Sequence, residues 1–103
     1  MGIGDALFEE MQLERGVIRN PNFTDYRMPS VIQMPLIRDI TTVFAPEPHK
    51  DGPFGAKGFG EVATVGVQAA IANAIYRAIG VRIKELPITP EKVLQALETK
   101  KGM

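Results

Sequence analysis

Residues 52–79 read GPFGAKGFGEVATVGVQAAIANAIYRAI, a glycine-rich run that leads into an alanine-rich apolar one. Val67, Ile71, Ala74, Ile75 and Ala78 recur at helical spacing, which predicts one helix over Val62–Ile79. Its polar residues are few (Gln68, Asn73, Tyr76, Arg77), and alanines at 69, 70, 72, 74 and 78 leave room for a neighbour to come close. The helix is therefore expected to be largely buried. Gly80 supplies its stop. Beyond it, Val81–Leu86 reads as a short strand, and Thr89-Pro90 as the N-cap and first-turn proline of a C-terminal helix. Glu91 in that first turn suits the helix dipole, and Val93, Leu94 and Leu97 give the helix one apolar face.

Working upstream, GIGDALFEEM places Ala6, Leu7, Phe8 and Met11 at helix-like spacing over Asp5–Met11. Gly2 and Gly4 stand where a helix would normally begin, so the segment looks like the tail of a longer one. Leu13–Arg19 alternates around Gly16, as a short hairpin would. NPNFTDYRMPSVIQMP, residues 20–35, is a loop-rich traverse with prolines at 21, 29 and 35. LIRDITTVFA, residues 36–45, is the strongest strand in the chain by its β-branched content, and Pro46 and Pro48 end it. The expected architecture is α+β: short strands or a hairpin packed against the buried Ala-rich helix, plus a C-terminal helix, with residues 1–103 as one domain.

With 103 residues there is room for one core, and 45% apolar with 23% charged residues is the composition of a chain that can pack. Twelve basic residues balance twelve acidic ones, so no electrostatic footprint of a nucleic-acid or membrane-surface binder is present. The absence of cysteine excludes disulfides, thiolate nucleophiles and Cys-held zinc or iron-sulfur centres within this chain. His49 is the single histidine, and no metal ligand set is assigned. Asp5, Glu9 and Glu10 interrupt the first apolar stretch too early for a signal peptide. No run is expected to reach the ~18 apolar residues of a membrane span. A cytoplasmic chain follows, whose chemistry would rest on a carboxylate, a lysine or a partner.

The candidate for that chemistry is GPFGAKGFGE, residues 52–61, with glycines at 52, 55, 58 and 60. Such a loop exposes backbone N–H groups and lets a ligand approach them closely, and a following helix N-terminus favours anions. A P-loop requires a hydroxyl residue after the lysine, whereas Lys57 is followed by Gly58. Residues 58–63 match G-x-G-x-x-A, but Gly52-Pro53 stands where a dinucleotide fold needs a buried strand. A plain surface turn with a solvated Glu61 beside the helix dipole is the other reading of these residues.

GPFGAKGFGE, then AAIANAI, then ELPITPEKVLQAL together resemble the C-terminal part of the molybdopterin-binding large subunit of the molybdenum hydroxylases, the xanthine dehydrogenase and aldehyde oxidase family. GIGDALFEE resembles the end of a helix in that subunit. NPNFTDYRMPSV is similar to the family's Asn-x-x-x-x-Tyr-x-x-Pro loop through Asn20 or Asn22, Tyr26 and Pro29. The resemblance runs in order along essentially the entire chain. It implies that Glu61 is the general base beside the molybdenum and that Ala56, Lys57, Gly58, Phe59 and Gly60 line the cofactor with backbone groups. The implied reaction hydroxylates an electrophilic carbon with oxygen derived from water. Other residues read more plainly: Lys57 has a solvated side chain, Tyr26 anchors a loop through a hydroxyl bond to backbone, His49 is exposed and silent, and Glu9, Glu10 and Glu14 form a solvated helix face.

The resemblance also implies what the chain must borrow. The other domains that hold molybdopterin, and the glutamine usually found near the metal, have no counterpart in these residues. The expected partners are the remainder of the subunit, FAD and iron-sulfur subunits or domains, and a small-molecule substrate (purine, aldehyde, N-heteroaromatic or carbon monoxide), with no nucleic acid and no membrane. Alone, the chain is expected to hold no molybdopterin, to be inactive, and to self-associate through uncovered apolar surface. The alternative is a non-catalytic binding or protein-interaction module that retains the fold.

Overall fold

A computed structural model describes residues 1–102. In chain order its regular elements are α1 (Gly2–Leu7), β1 (Leu13–Glu14), β2 (Val17–Ile18), α2 (Val67–Ile79) and α3 (Pro90–Lys101), with single 3-10 turns at Val31–Gln33, Ile37–Asp39, Pro53–Gly55 and Glu61–Thr64. The class is α+β, as expected. The hairpin lies where the alternation about Gly16 puts it, β1 antiparallel to β2 with Leu13 opposite Ile18 and Glu14 opposite Val17.

The main tertiary packing is α1 on α2. It depends on glycine, because a Cβ at Gly2 would stand 2.6 Å from the Cβ of Val67. The two N-terminal glycines, which argued against a helix start in the sequence, are buried with Ala6. The helix is also shorter than expected, ending at Leu7. Glu9 and Glu10 therefore lie beyond it and Glu14 lies on β1, so the three acids share no helix face. Glu9 accepts a hydrogen bond from the Tyr26 hydroxyl (2.8 Å), and Glu14 pairs with Arg19. Tyr26 thus anchors its loop to a carboxylate rather than to backbone, and that bond raises the phenol pKa above its ordinary value. Asn20 is buried and clasps the hairpin base, its amide donating to Glu10 O (2.7 Å) and its oxygen accepting from Gln12 N (2.9 Å).

Four expectations are corrected. The helix over 62–79 is divided: Glu61–Thr64 forms a 3-10 turn, and the α-helix starts at Val67 after Gly66. It contains no buried residue. Val67, Ile71, Ile75 and Ile79 are half-covered, while Ala69, Ala70, Ala74 and Ala78 are exposed. Leu36–Ala45 is not a strand, because its β-branched residues supply propensity but no neighbouring chain pairs with them. Ile37–Asp39 is a 3-10 turn, Ile40 is extended, and the remainder is unpaired. Val81–Leu86 likewise forms no strand among the described residues, and it bends at Glu85 and Leu86. Instead, Arg82 holds this stretch to α2, stacked 4.3 Å from the Tyr76 ring centroid and donating to Asn73 (3.0 Å).

The ends of α2 and α3 follow local rules. Gly80 adopts φ 72° and its N–H donates to Tyr76 O (2.7 Å), as a left-handed cap does. Lys100 on α3 donates to Ile79 O (2.9 Å), which satisfies a terminal carbonyl of α2 and ties the two helices together. Thr89 Oγ1 accepts from Lys92 N, with Pro90 in the first turn. Ile88 is buried and its N–H donates to Ala6 O (2.7 Å), so the approach to α3 is fastened to α1.

The expectation of no span-like run is also corrected. Glu61–Ile79 is 19 residues long and apolar enough, by length and composition, to cross a membrane. Only its last 13 residues form an α-helix, a rod of about 20 Å against a hydrocarbon core of about 30 Å.

Candidate functional site

The glycine-rich segment begins as a self-bonded loop. His49 N donates to Gly55 O (3.0 Å), Gly52 N to His49 O (3.2 Å), Gly55 N to Gly52 O (2.9 Å) and Ala56 N to Pro53 O (3.0 Å). His49 is exposed as expected, yet its ring participates, Nδ1 accepting from Asp51 N (3.2 Å). Two consecutive residues take positive φ, Phe54 at 54° and Gly55 at 79°. An aromatic residue there is strained by about 1–2 kcal/mol.

From Lys57 to Gly60 the character changes. Among the described residues none of these four amides donates to a backbone carbonyl, and all four residues are exposed together with Ala56. A Cβ built at Gly58 or at Gly60 meets no atom within 4 Å. The requirement for glycine at these positions therefore does not come from packing inside the described residues. The result is an exposed, irregular strip that bends at Gly60 and is open at both glycines, its N–H groups without an acceptor among the described residues.

Glu61 follows directly as the first residue of the 3-10 turn, with Gly60 as its N-cap. The Thr64 hydroxyl donates to its backbone carbonyl (2.6 Å). Among the described residues no hydrogen bond or ion pair reaches its carboxylate, which is exposed. The six sequence-assigned residues, Ala56 to Glu61, thus form one continuous exposed edge. The side chain of Lys57 is not simply solvated, because its ammonium donates to Ala45 O (3.2 Å). Among the described residues no group of three or more metal-ligating side chains converges. Sequence reading overlooked an open apolar groove of about 450 Å³ between α1, α2 and α3, lined by residues that include Leu7, Phe8, Ile75 and Leu97. Its signal was available in the apolar faces of the three helices, but not their mutual placement.

No family model matches the chain. The putative xanthine dehydrogenase molybdenum-binding subunit XdhA of Escherichia coli K12 is 42% identical over 97 residues, covering 92% of this chain and 12% of the relative. The aldehyde oxidoreductase of Megalodesulfovibrio gigas is 44% identical over 97 residues, covering 94% of this chain and 10% of the relative. Among solved structures, quinoline 2-oxidoreductase from Pseudomonas putida 86 superposes with a TM-score of 0.75 at 30% identity, covering 94% of this chain and 13% of that one. All three are oxidoreductases, so the chain aligns in sequence and in fold with a segment of an oxidoreductase. Over the stretch it spans, it is thus similar to molybdenum-binding subunits of xanthine dehydrogenase and to aldehyde oxidoreductases, and its fold to quinoline 2-oxidoreductase. That stretch is about an eighth of the length of the curated relatives it matches.

Proposed function

We propose that this chain is the C-terminal portion of a molybdenum hydroxylase large subunit, in which the backbone of Ala56–Gly60 lines the molybdopterin cofactor and Glu61 is the general base. Support comes from one juxtaposition: an exposed carboxylate without a partner among the described residues stands at the end of a glycine strip whose amides are unpaired and whose own side is free of steric obstruction. That arrangement suits a bulky anionic group carried close to backbone. When bound, the cofactor supplies the two-electron oxidation.

The work of the chain is acid–base and positional. The Glu61 carboxylate takes the proton of the water-derived oxygen as that oxygen attacks an electrophilic carbon of a small substrate. Gly58 and Gly60 keep the approach clear, and the amides of residues 57–60 donate toward negative charge. The remaining partners are the rest of the subunit and the FAD and iron-sulfur subunits or domains that accept the electrons. In the complete enzyme, Glu61→Gln preserves the shape of the site and removes the base. Its expected effect is a loss of turnover of about 10²–10⁴-fold with molybdenum content unchanged, measured by steady-state rates and metal analysis. Wild-type rates in that variant would remove Glu61 from the mechanism.

A further inference from the structure

We propose that Lys57 is a positioning residue whose side chain latches the glycine loop and thereby sets the place of Glu61; this rests on the reading of Glu61 as the base. The ammonium of Lys57 reaches back across twelve positions to Ala45 O at 3.2 Å. Inside that span the turn bonds of His49, Gly52, Gly55 and Ala56 make residues 49–56 a preformed unit. Neither flank of the unit has such support. On one side 40–48 is exposed chain without a regular element, and on the other the amides of 57–60 make no backbone bond.

The Lys57–Ala45 bond is what joins these two flanks. It fixes the last point of the chain before Glu61, which lies four residues on. Released, the 57–60 strip would pivot about Ala56 and carry the carboxylate with it. A misplacement of about 1 Å is enough to lower a rate about 100-fold. The geometry also separates the two parts of the residue: its backbone belongs to the exposed strip, while its ammonium is turned to the chain's own carbonyl. A cationic side chain that served the cofactor directly would leave Ala45 O free.

The test is made in the complete enzyme with Lys57→Met and Lys57→Arg. The Met variant keeps the stem and loses the donor. Its expected result is kcat lowered about tenfold or more, KM changed much less, and molybdenum content at the wild-type level. Amide exchange at 58–60 becomes faster, a readout independent of turnover. The Arg variant retains a donor and recovers most of the rate and the protection. Loss of molybdenum in Lys57→Met would place the ammonium on the cofactor and overturn the latch. So would unchanged kcat together with unchanged exchange. Failure of the underlying reading is seen separately, as an active Glu61→Gln enzyme.

Discussion

The four glycines of residues 52–60 look alike in the sequence, and the structure divides them. A Cβ at Gly52 would stand 2.0 Å from Ala56 O, and one at Gly55 would stand 2.7 Å from Pro48 Cβ. These two glycines serve the loop itself. Gly58 and Gly60 meet nothing, and neither φ lies in the left-handed region. Replacing Gly by Ala at such a position restricts the unfolded chain and is expected to raise stability by about 0.4–1 kcal/mol. Gly58→Ala and Gly60→Ala in the complete enzyme should therefore leave the melting temperature unchanged or slightly raised while lowering molybdenum content. Both quantities can be followed on one preparation by calorimetry and metal analysis. Full molybdenum occupancy in both variants would show that nothing approaches this backbone. The sequence made the run visible, and with it Glu61, because glycine spacing and a terminal carboxylate are written in residue types. Which glycine answers to the loop and which to something beyond it depends on neighbours as distant in sequence as Pro48, and so could not be read in advance.

Among the elements, those decided within a few residues were the legible ones. The hairpin about Gly16, the Gly80 cap and the Thr89-Pro90 start of α3 each rest on local backbone chemistry and stand where expected. The two absent strands needed a partner segment, and β-branched content at Ile40–Val43 cannot supply one. The helix over 62–79 was overextended because apolar periodicity passes through Gly66 unbroken, whereas the backbone changes from a 3-10 turn to an α-helix there. Local control makes α3 testable. Thr89→Ala removes the acceptor for Lys92 N and is expected to cost about 1 kcal/mol, measured by chemical denaturation of the full chain. The carboxyl pKa of Glu91 is lowered, chiefly by the bond to its own backbone N–H and then by Thr89. With the folded pKa below the unfolded one, this contribution is complete above the ordinary carboxylate range and is lost as pH falls through the lower folded value. Helicity of α3 should therefore weaken on acidification below about pH 4, less steeply in Glu91→Gln. Identical pH profiles in the two proteins would dismiss Glu91 as a contributor.

At the scale of the whole molecule, the apolar surface has not been put away. The accessible area is 8891 Å², against about 5,700 Å² for a compact monomer of this mass. The radius of gyration is 17.8 Å, against about 13 Å for a folded chain of this length. Among the described residues the buried apolar side chains are Ala6, Pro87 and Ile88, while Ile32 at 95%, Phe54 at 111% and Phe59 at 90% are open to solvent. Exposed apolar residues are common one at a time, but a run of them from Val31 to Val65 is a surface that a stable protein covers. The same exposure surrounds the alanine face of α2 and the glycine strip, so the cover of the fold and the cover of the site are one requirement. Purified alone, the 103-residue chain is expected to self-associate and to contain neither stoichiometric molybdenum nor activity. Sedimentation across a wide concentration range tests the first part, and metal analysis with a substrate panel tests the second. A clean monomer at high concentration would mean that the chain closes its own surface in solution. Bound molybdenum with turnover would mean that these residues suffice for the cofactor. The non-catalytic module predicts the first of those outcomes without the second, so the two measurements together separate an enzyme segment from an interaction domain on the same fold.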